Sequence, residues 1–202
     1  MRSLFIFSAL LATNLFAAPA AKVSAPAVAV YKVVPADSQI KWVGKKLTGQ
    51  HNGTIAVKEG KIEFQGDALK SADFTAQMTT IKVLDLTDAK YNHDLTEHLN
   101  SEDFFSTAKH PTANFKVTKV TQGENGAWNA EGPFTIKGIT KTVTIPLTVT
   151  KTDKEAMLNG KVTLDRTLWD IKYRSGKFFP EIGDKLIHDG FDIDVTLKAK
   201  KS

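Results

Sequence analysis

Apolar and polar side chains alternate with period two along most of this chain. From Thr142 to Thr150, Val143, Ile145, Leu147 and Val149 point one way and threonines with Pro146 the other. Phe191, Ile193, Val195 and Leu197 repeat the pattern against Asp192, Asp194, Thr196 and Lys198. Shorter versions are Ile40 with Trp42, Ile55 with Val57, Ile62 with Phe64, Phe134 with Ile136, and Val162 with Leu164. Phe74, Ala76 and Met78 share one face of a longer strand, as do Phe115 and Val117. Such alternation marks strands with one buried face. Turn signals separate the runs at Gly49 to Gly53, Glu59-Gly60, Gly66-Asp67, Gly123 to Gly126, Lys137-Gly138 and Asn159-Gly160. Hairpin signals at that spacing predict an all-β, antiparallel β-barrel of about eight strands, since closure lets every apolar face share one core and hides the sheet edges.

Helix is scarce. Tyr91 to Leu99 predicts two turns starting near Asn92 or Asp94, and Ser101 is the expected N-cap of a second short helix. His110-Pro111 must end it, because the residue before proline leaves the helical region. The chain therefore reads as a barrel with a short helical insertion. The break in alternation at Leu168-Trp169 predicts a β-bulge.

The N-terminus has another character. Arg2, the apolar run from Leu4 to Phe16, and Ala18-Pro19-Ala20 have the order of a cleavable export signal. The run is short of the roughly 20 apolar residues that span a bilayer. Residues 1–20 are read as the signal, 21–30 as a patternless tether, and 31–202 as one domain. The expected location is the periplasm. There is no cysteine among the 202 residues, which removes disulfides, thiol nucleophiles and the cysteine that lipidation needs.

Net charge is +5, with lysines interspersed among acids on the polar strand faces. No nucleic-acid partner is expected without a contiguous basic stripe, and membrane contact is at most peripheral. The five histidines do not form an i, i+4 metal pair: His93 and His98 are five apart. No hydrolase elbow, phosphate loop or dinucleotide glycine pattern appears. No cofactor and no catalytic or metal site is expected, and function is sought in a cavity.

The candidate wall comes from the alternating faces: Phe74, Met78, Phe115, Phe134, Ile136, Val143 and Ile145, then Trp169 and Ile171. Phe104 and Phe105 follow a polar helical start and precede proline, so at least one should fold over the barrel. Arg166 has two readings. It stands at a cavity mouth to hold a polar head group, or it pairs with an acid such as Asp165 or Asp170 to satisfy a barrel end. The exposed edge of the opening strand and the Phe178-Phe179 loop are the surfaces through which a homodimer could form.

Two strings go further. His98-Leu99-Asn100-Ser101-Glu102-Asp103-Phe104-Phe105, continuing through Lys109 to Phe115, resembles the H-L-x-S-x-D-F-F and K-x-P-T-x-x-F motifs of the YceI-like family of bacterial lipid-binding proteins. The stretch from Gly132 to Val143 is similar to that family's G-x-L-T-I-x-G-x-T-K-x-V hairpin. The resemblance runs from Tyr31 to the C-terminus. It departs at Arg166 to Ile171, which lacks the family's glycine, and at the aromatic loop from Tyr173 to Ile182. It implies a lipocalin-like barrel and a carrier, not an enzyme, whose partner is a long-chain lipid such as a polyisoprenoid or fatty acyl amide. The alternatives left open are a filled barrel acting as a stress-related interaction module and an enzyme of lipid processing. The exported chain is expected to lose about twenty N-terminal residues; intact mass checks this, and full-length chain found only in membranes would count against cleavage.

Overall fold

The computed structural model describes residues 26–202. The segment read as an export signal and the first part of the tether lie outside the described residues. Ten strands follow in chain order: β1 (Val28–Val33), β2 (Gln39–Lys46), β3 (Gly49–Gln65), β4 (Ala68–Val83), β5 (Thr112–Phe115), β6 (Lys119–Gln122), β7 (Trp128–Ile136), β8 (Ile139–Lys151), β9 (Glu155–Asp165) and β10 (Ile187–Lys201). One α-helix, α1 (Ala89–Asn100), lies between β4 and β5.

Every pairing is antiparallel, and the ring β2-β3-β4-β5-β7-β8-β9-β10 returns to β2. β1 pairs with β3 and β10, continuing the line of β2. β6 pairs with β7, continuing the line of β5. Ten strands thus make a closed barrel of eight staves, two of them broken. The first break is the 3-10 turn Pro35–Asp37, where proline has no N–H to give to a ladder. Ser38 stitches it shut, its hydroxyl donating to Val34 O (2.8 Å) and accepting from Lys198 N (3.0 Å). The second break is bridged by Asp73, whose carboxylate accepts from Val117 N at 3.0 Å.

Several expectations change. Val28 to Val30, part of the supposed tether, pair with Glu63 to Gln65, because the far end of β3 needs a partner where β2 does not reach. The opening strands have no exposed edge, since β3 and β10 occupy both sides. Gly49 to Gly53, Glu59-Gly60 and Asn159-Gly160 are not turns. The first two lie inside the single 17-residue strand β3 and the third inside β9. At Glu59 the register with β4 shifts, so that signal is a bulge. Gly160 makes room for Leu147, whose Cδ2 would sit 2.5 Å from an added Cβ. The signals at Gly66-Asp67, Gly123 to Gly126 and Lys137-Gly138 do turn the chain. Lys137 and Gly138 both have positive φ, as a two-residue hairpin requires.

The helix also differs. α1 starts at Ala89, capped by Asp88, whose carboxylate accepts from Lys90 N (2.9 Å) and Tyr91 N (3.0 Å). Ser101 is its C-cap, not the N-cap of another helix. After it the chain coils back, with Phe105 N bonded to Leu99 O and Ser106 N to Ser101 O. The expected bulge at Leu168-Trp169 is a 3-10 turn, Arg166–Trp169, because Asp165 caps it through Thr167 N at 2.9 Å.

Gly53 faces Trp42 across the β2-β3 ladder. An added Cβ would lie 1.7 Å from Lys82 O and 2.7 Å from two atoms of the indole. Gly53→Ala must push β4 or the Trp42 ring aside, and overpacking of this kind costs ~1–3 kcal/mol. The urea midpoint is expected to fall accordingly; an unchanged midpoint would mean that the backbone yields there freely.

Candidate ligand-binding cavity

The interior has two parts. Far from the helix it is filled: Tyr31, Ile62, Phe64, Leu158 and Leu197 are all fully buried. At the helix end, inward positions carry Gly44, Ala76 and Ala113, and the interior stays open. The resulting cavity is about 100 Å3. Ile40, Trp42 and Gly44 of β2 line it, with Phe74, Ala76 and Met78 of β4. Phe134 and Ile136 of β7 face Phe191 and Ile193 of β10 across it. Each set follows the two-residue period of its strand.

The lid is built by α1 and the coil after it. Asn92 ties the helix to the barrel, its amide donating to Val83 O (3.0 Å) and Leu86 O (2.9 Å). Leu99, Phe104 and Phe105 then close over the cavity. The backbone that presents them is held by Thr107, whose N–H reaches Asn100 O and whose hydroxyl reaches Asn100 Oδ1 at 2.7 Å. His98 stands edge-on to both Phe104 (4.9 Å between centroids) and Tyr173 (4.6 Å). Lys137 of the β7-β8 hairpin donates to Glu102 O and Asp170 O, joining the lid to the loop after the 3-10 turn. Phe178 and Phe179 of that loop are half exposed, and Lys172 lies 5.0 Å from the Phe178 ring centroid.

Arg166 lines the cavity, yet its guanidinium is taken up by the protein. It donates to Ile171 O (2.7 Å), Ile187 O (2.9 Å) and His188 O (3.0 Å). It does pair with an acid, but that acid is Asp189 at 3.6 Å rather than Asp165 or Asp170. Those two are engaged by Lys177 and Lys172. Burial pulls Arg166 below its ordinary value, while Asp189 and Asp165 act the other way. Among the described residues, Trp42 Nε1 and Asp189 Oδ1 are buried without a hydrogen-bond partner.

Of the wall residues expected from the sequence, Phe74, Met78, Phe104, Phe105, Phe134, Ile136 and Ile171 line the cavity. Phe115 and Ile145 point inward but lower, around a separate void of about 10 Å3. Trp169 is fully buried and stands outside the cavity lining, its ring against Phe134 (6.0 Å) and its N–H on Phe134 O (3.1 Å). Val143 is half buried and also outside the lining, since the 3-10 turn packs on β8. The sequence reading missed the contribution of β2 and β10. Their faces were visible as Ile40 with Trp42 and as Phe191 with Ile193; the closing ladder that brings them to the cavity was not. Ile187 and His188 both line it because the β10-β2 register shifts between Ile187 and Phe191, which no local signal announces.

Several carboxylates at this end are held ionised. Burial works to raise the Asp165 carboxyl, but hydrogen bonds from Lys177 and Thr167 prevail and hold it below its usual value. A hydrogen bond from Lys45, then one from Thr163, lowers Asp192. Burial likewise opposes ionisation of Asp85, and Asn52 N–H and His51 overcome it. Groups with depressed folded values stabilise the fold above their unfolded value, about pH 4, and that stability is lost as pH falls through the folded value. The urea midpoint should therefore drop on acidification below about pH 4, and Asp165→Asn should blunt the drop. An acid limb identical in the variant would remove Asp165 from this account.

Comparison with known proteins follows the same outline. A UPF0312 protein of Vibrio parahaemolyticus is 33% identical over 96 residues, covering 47% of this chain and 51% of the relative. The chain thus spans about half the length of the curated relatives it matches. The crystal structure of BcnA from Burkholderia cenocepacia superposes with a TM-score of 0.65 at 22% identity, over 83% of this chain and 99% of that one. A polyisoprenoid binding domain from Saccharophagus degradans, implicated in plant cell wall breakdown, gives 0.62 at 11% identity, over 85% and 98%. These likenesses show the fold, a lipocalin-like barrel. The YceI-like domain matches residues 31–199, so the chain belongs to the YceI-like family.

Proposed function

We infer that this protein is a non-enzymatic carrier that shields a long-chain apolar lipid, a polyisoprenoid or a fatty acyl amide, inside its barrel. The observation that carries this reading is the apolar cavity closed by Leu99, Phe104 and Phe105. Among the described residues its lining offers no carboxylate, hydroxyl or thiol, and its one permanent charge, Arg166, is already committed to backbone carbonyls. Such a surface favours holding over chemistry. Each methylene moved there from water gains about 0.8 kcal/mol. The fold shared with a polyisoprenoid binding domain supports the same ligand class. The export signal read in residues 1–20 supports action in the periplasm, where a lipid tail crossing between membranes needs cover from water.

The cavity size sets a condition. About 100 Å3 is of the order of engineered cavities that stay dry and admit a benzene ring. A whole lipid tail needs the lid or the interior rings to move. The same number favours the second reading, a nearly filled barrel that serves as an interaction module.

Organic extraction of protein purified from the periplasm, followed by mass spectrometry, separates the two. A stoichiometric long-chain lipid is expected. A folded barrel without lipid would give way to the module. Ala76→Leu, which fills the cavity from the β4 side, is expected to lower lipid occupancy about tenfold, a change of ~1.4 kcal/mol, with the circular dichroism of a β-barrel retained. Unchanged occupancy in the folded variant would place the lipid elsewhere.

A further inference from the structure

Among the described residues, Phe74 alone lines both the cavity beneath the lid and the small void below it. Its ring packs on Phe115 at 5.9 Å and on Phe134 at 6.2 Å, and those two meet at 5.6 Å. Three tilted rings thus make a floor across the barrel. Along β4 the inward neighbours of Phe74 are Ala72 and Ala76, and Ala76 faces Ala113 across the ladder. Phe74 is therefore a single large group between methyl groups above and below. The void beneath, about 10 Å3, is bounded by Leu158, Val195 and Leu197 and is too small to receive the ring as it stands.

We propose that Phe74 is a depth stop that fixes how long an apolar tail the barrel accepts. The inference rests on the carrier reading and adds the residue that sets chain-length preference. A tail entering under Phe104 and Phe105 runs between Ala76, Ala113 and the β10 face and ends on the Phe74 ring. Longer tails leave methylenes in water at the mouth, so affinity rises with length only until the floor is reached. Removing the ring joins the two spaces and moves the limit deeper.

The test uses linear prenols from farnesol to solanesol, with binding read by quenching of tryptophan fluorescence, since Trp42 stands in the wall. In the unaltered protein, affinity should rise with length and then level off. In Phe74→Ala the plateau should move to longer prenols, with a gain of about tenfold for those beyond the original limit. Adding Ala72→Leu to Phe74→Ala refills the lower space and should restore the original plateau. Phe74→Met, which keeps most of the volume in a flexible side chain, should extend the limit partway and serves if the alanine variant does not fold. The same plateau in folded Phe74→Ala or Phe74→Met would overturn the depth stop and leave the carrier reading intact. No binding of any prenol by the unaltered protein would overturn the depth stop together with a prenol-carrying function.

Discussion

β10 hydrogen-bonds along both edges, to β9 from Gly190 through Lys200 on one side and to β2 and β1 on the other. This double ladder turns an open sheet into a barrel. Without it the free edges of β2 and β9 would offer unpaired backbone groups to other chains, and the apolar faces of β2, β9 and β10 would meet water. With it the apolar faces share one enclosed core from the lid to the far end. The need to serve two partners explains the length of β10 and its break in register. Near Ile187 it must reach Lys46 while leaving space for Arg166, and the shift between Ile187 and Phe191 allows both.

Arg166 secures the point where that ladder begins. Its three donated bonds join the end of β9, the loop at Ile171 and the first residues of β10. Hydrogen bonds to a charged group contribute about 1.5–3 kcal/mol each, enough to offset much of the cost of burying the guanidinium. The charge is thereby used inside the protein. A ligand sees a wall in which the cation is already satisfied, so selection falls on the shape and length of an apolar body.

The barrel was legible because period-two alternation is written into each strand, and Val143 to Val149 or Phe191 to Leu197 needs no partner to be read. Glycine was misread because one residue type answers two needs. Gly138 supplies positive φ for a hairpin, whereas Gly53 makes room for an indole from the next strand, and only the pairing tells them apart. Ser101 shows the same limit: before acidic residues it has the composition of an N-cap, yet α1 reaches it first and it closes that helix. The cavity was half legible for a related reason. Alternation separates inward from outward side chains but does not give height along the barrel, so Phe134 and Ile145 looked alike although Ile145 lies lower. Trp169 is inward in any reading, and only the 3-10 turn puts it behind Phe134.

Side-chain volume along the barrel decides where the space lies. Tyr31, Phe64 and Leu158 fill the far half, while Gly44, Ala76 and Ala113 leave the near half open. At ~24 cal/mol per Å3 of cavity, an empty space of about 100 Å3 costs roughly 2 kcal/mol of stability. Larger side chains at Ala76 or Ala113 would recover that stability by closing the space. An apolar guest recovers it without any change of sequence, since it restores the missing contacts to the lining and hides its own methylenes from water. The lid then has a physical task. Beyond Trp42 Nε1, which is buried without a partner, and the His188 ring, the described lining offers a guest little to hydrogen-bond. Retention therefore depends mainly on excluding water, and Leu99, Phe104 and Phe105 are the residues placed to do so.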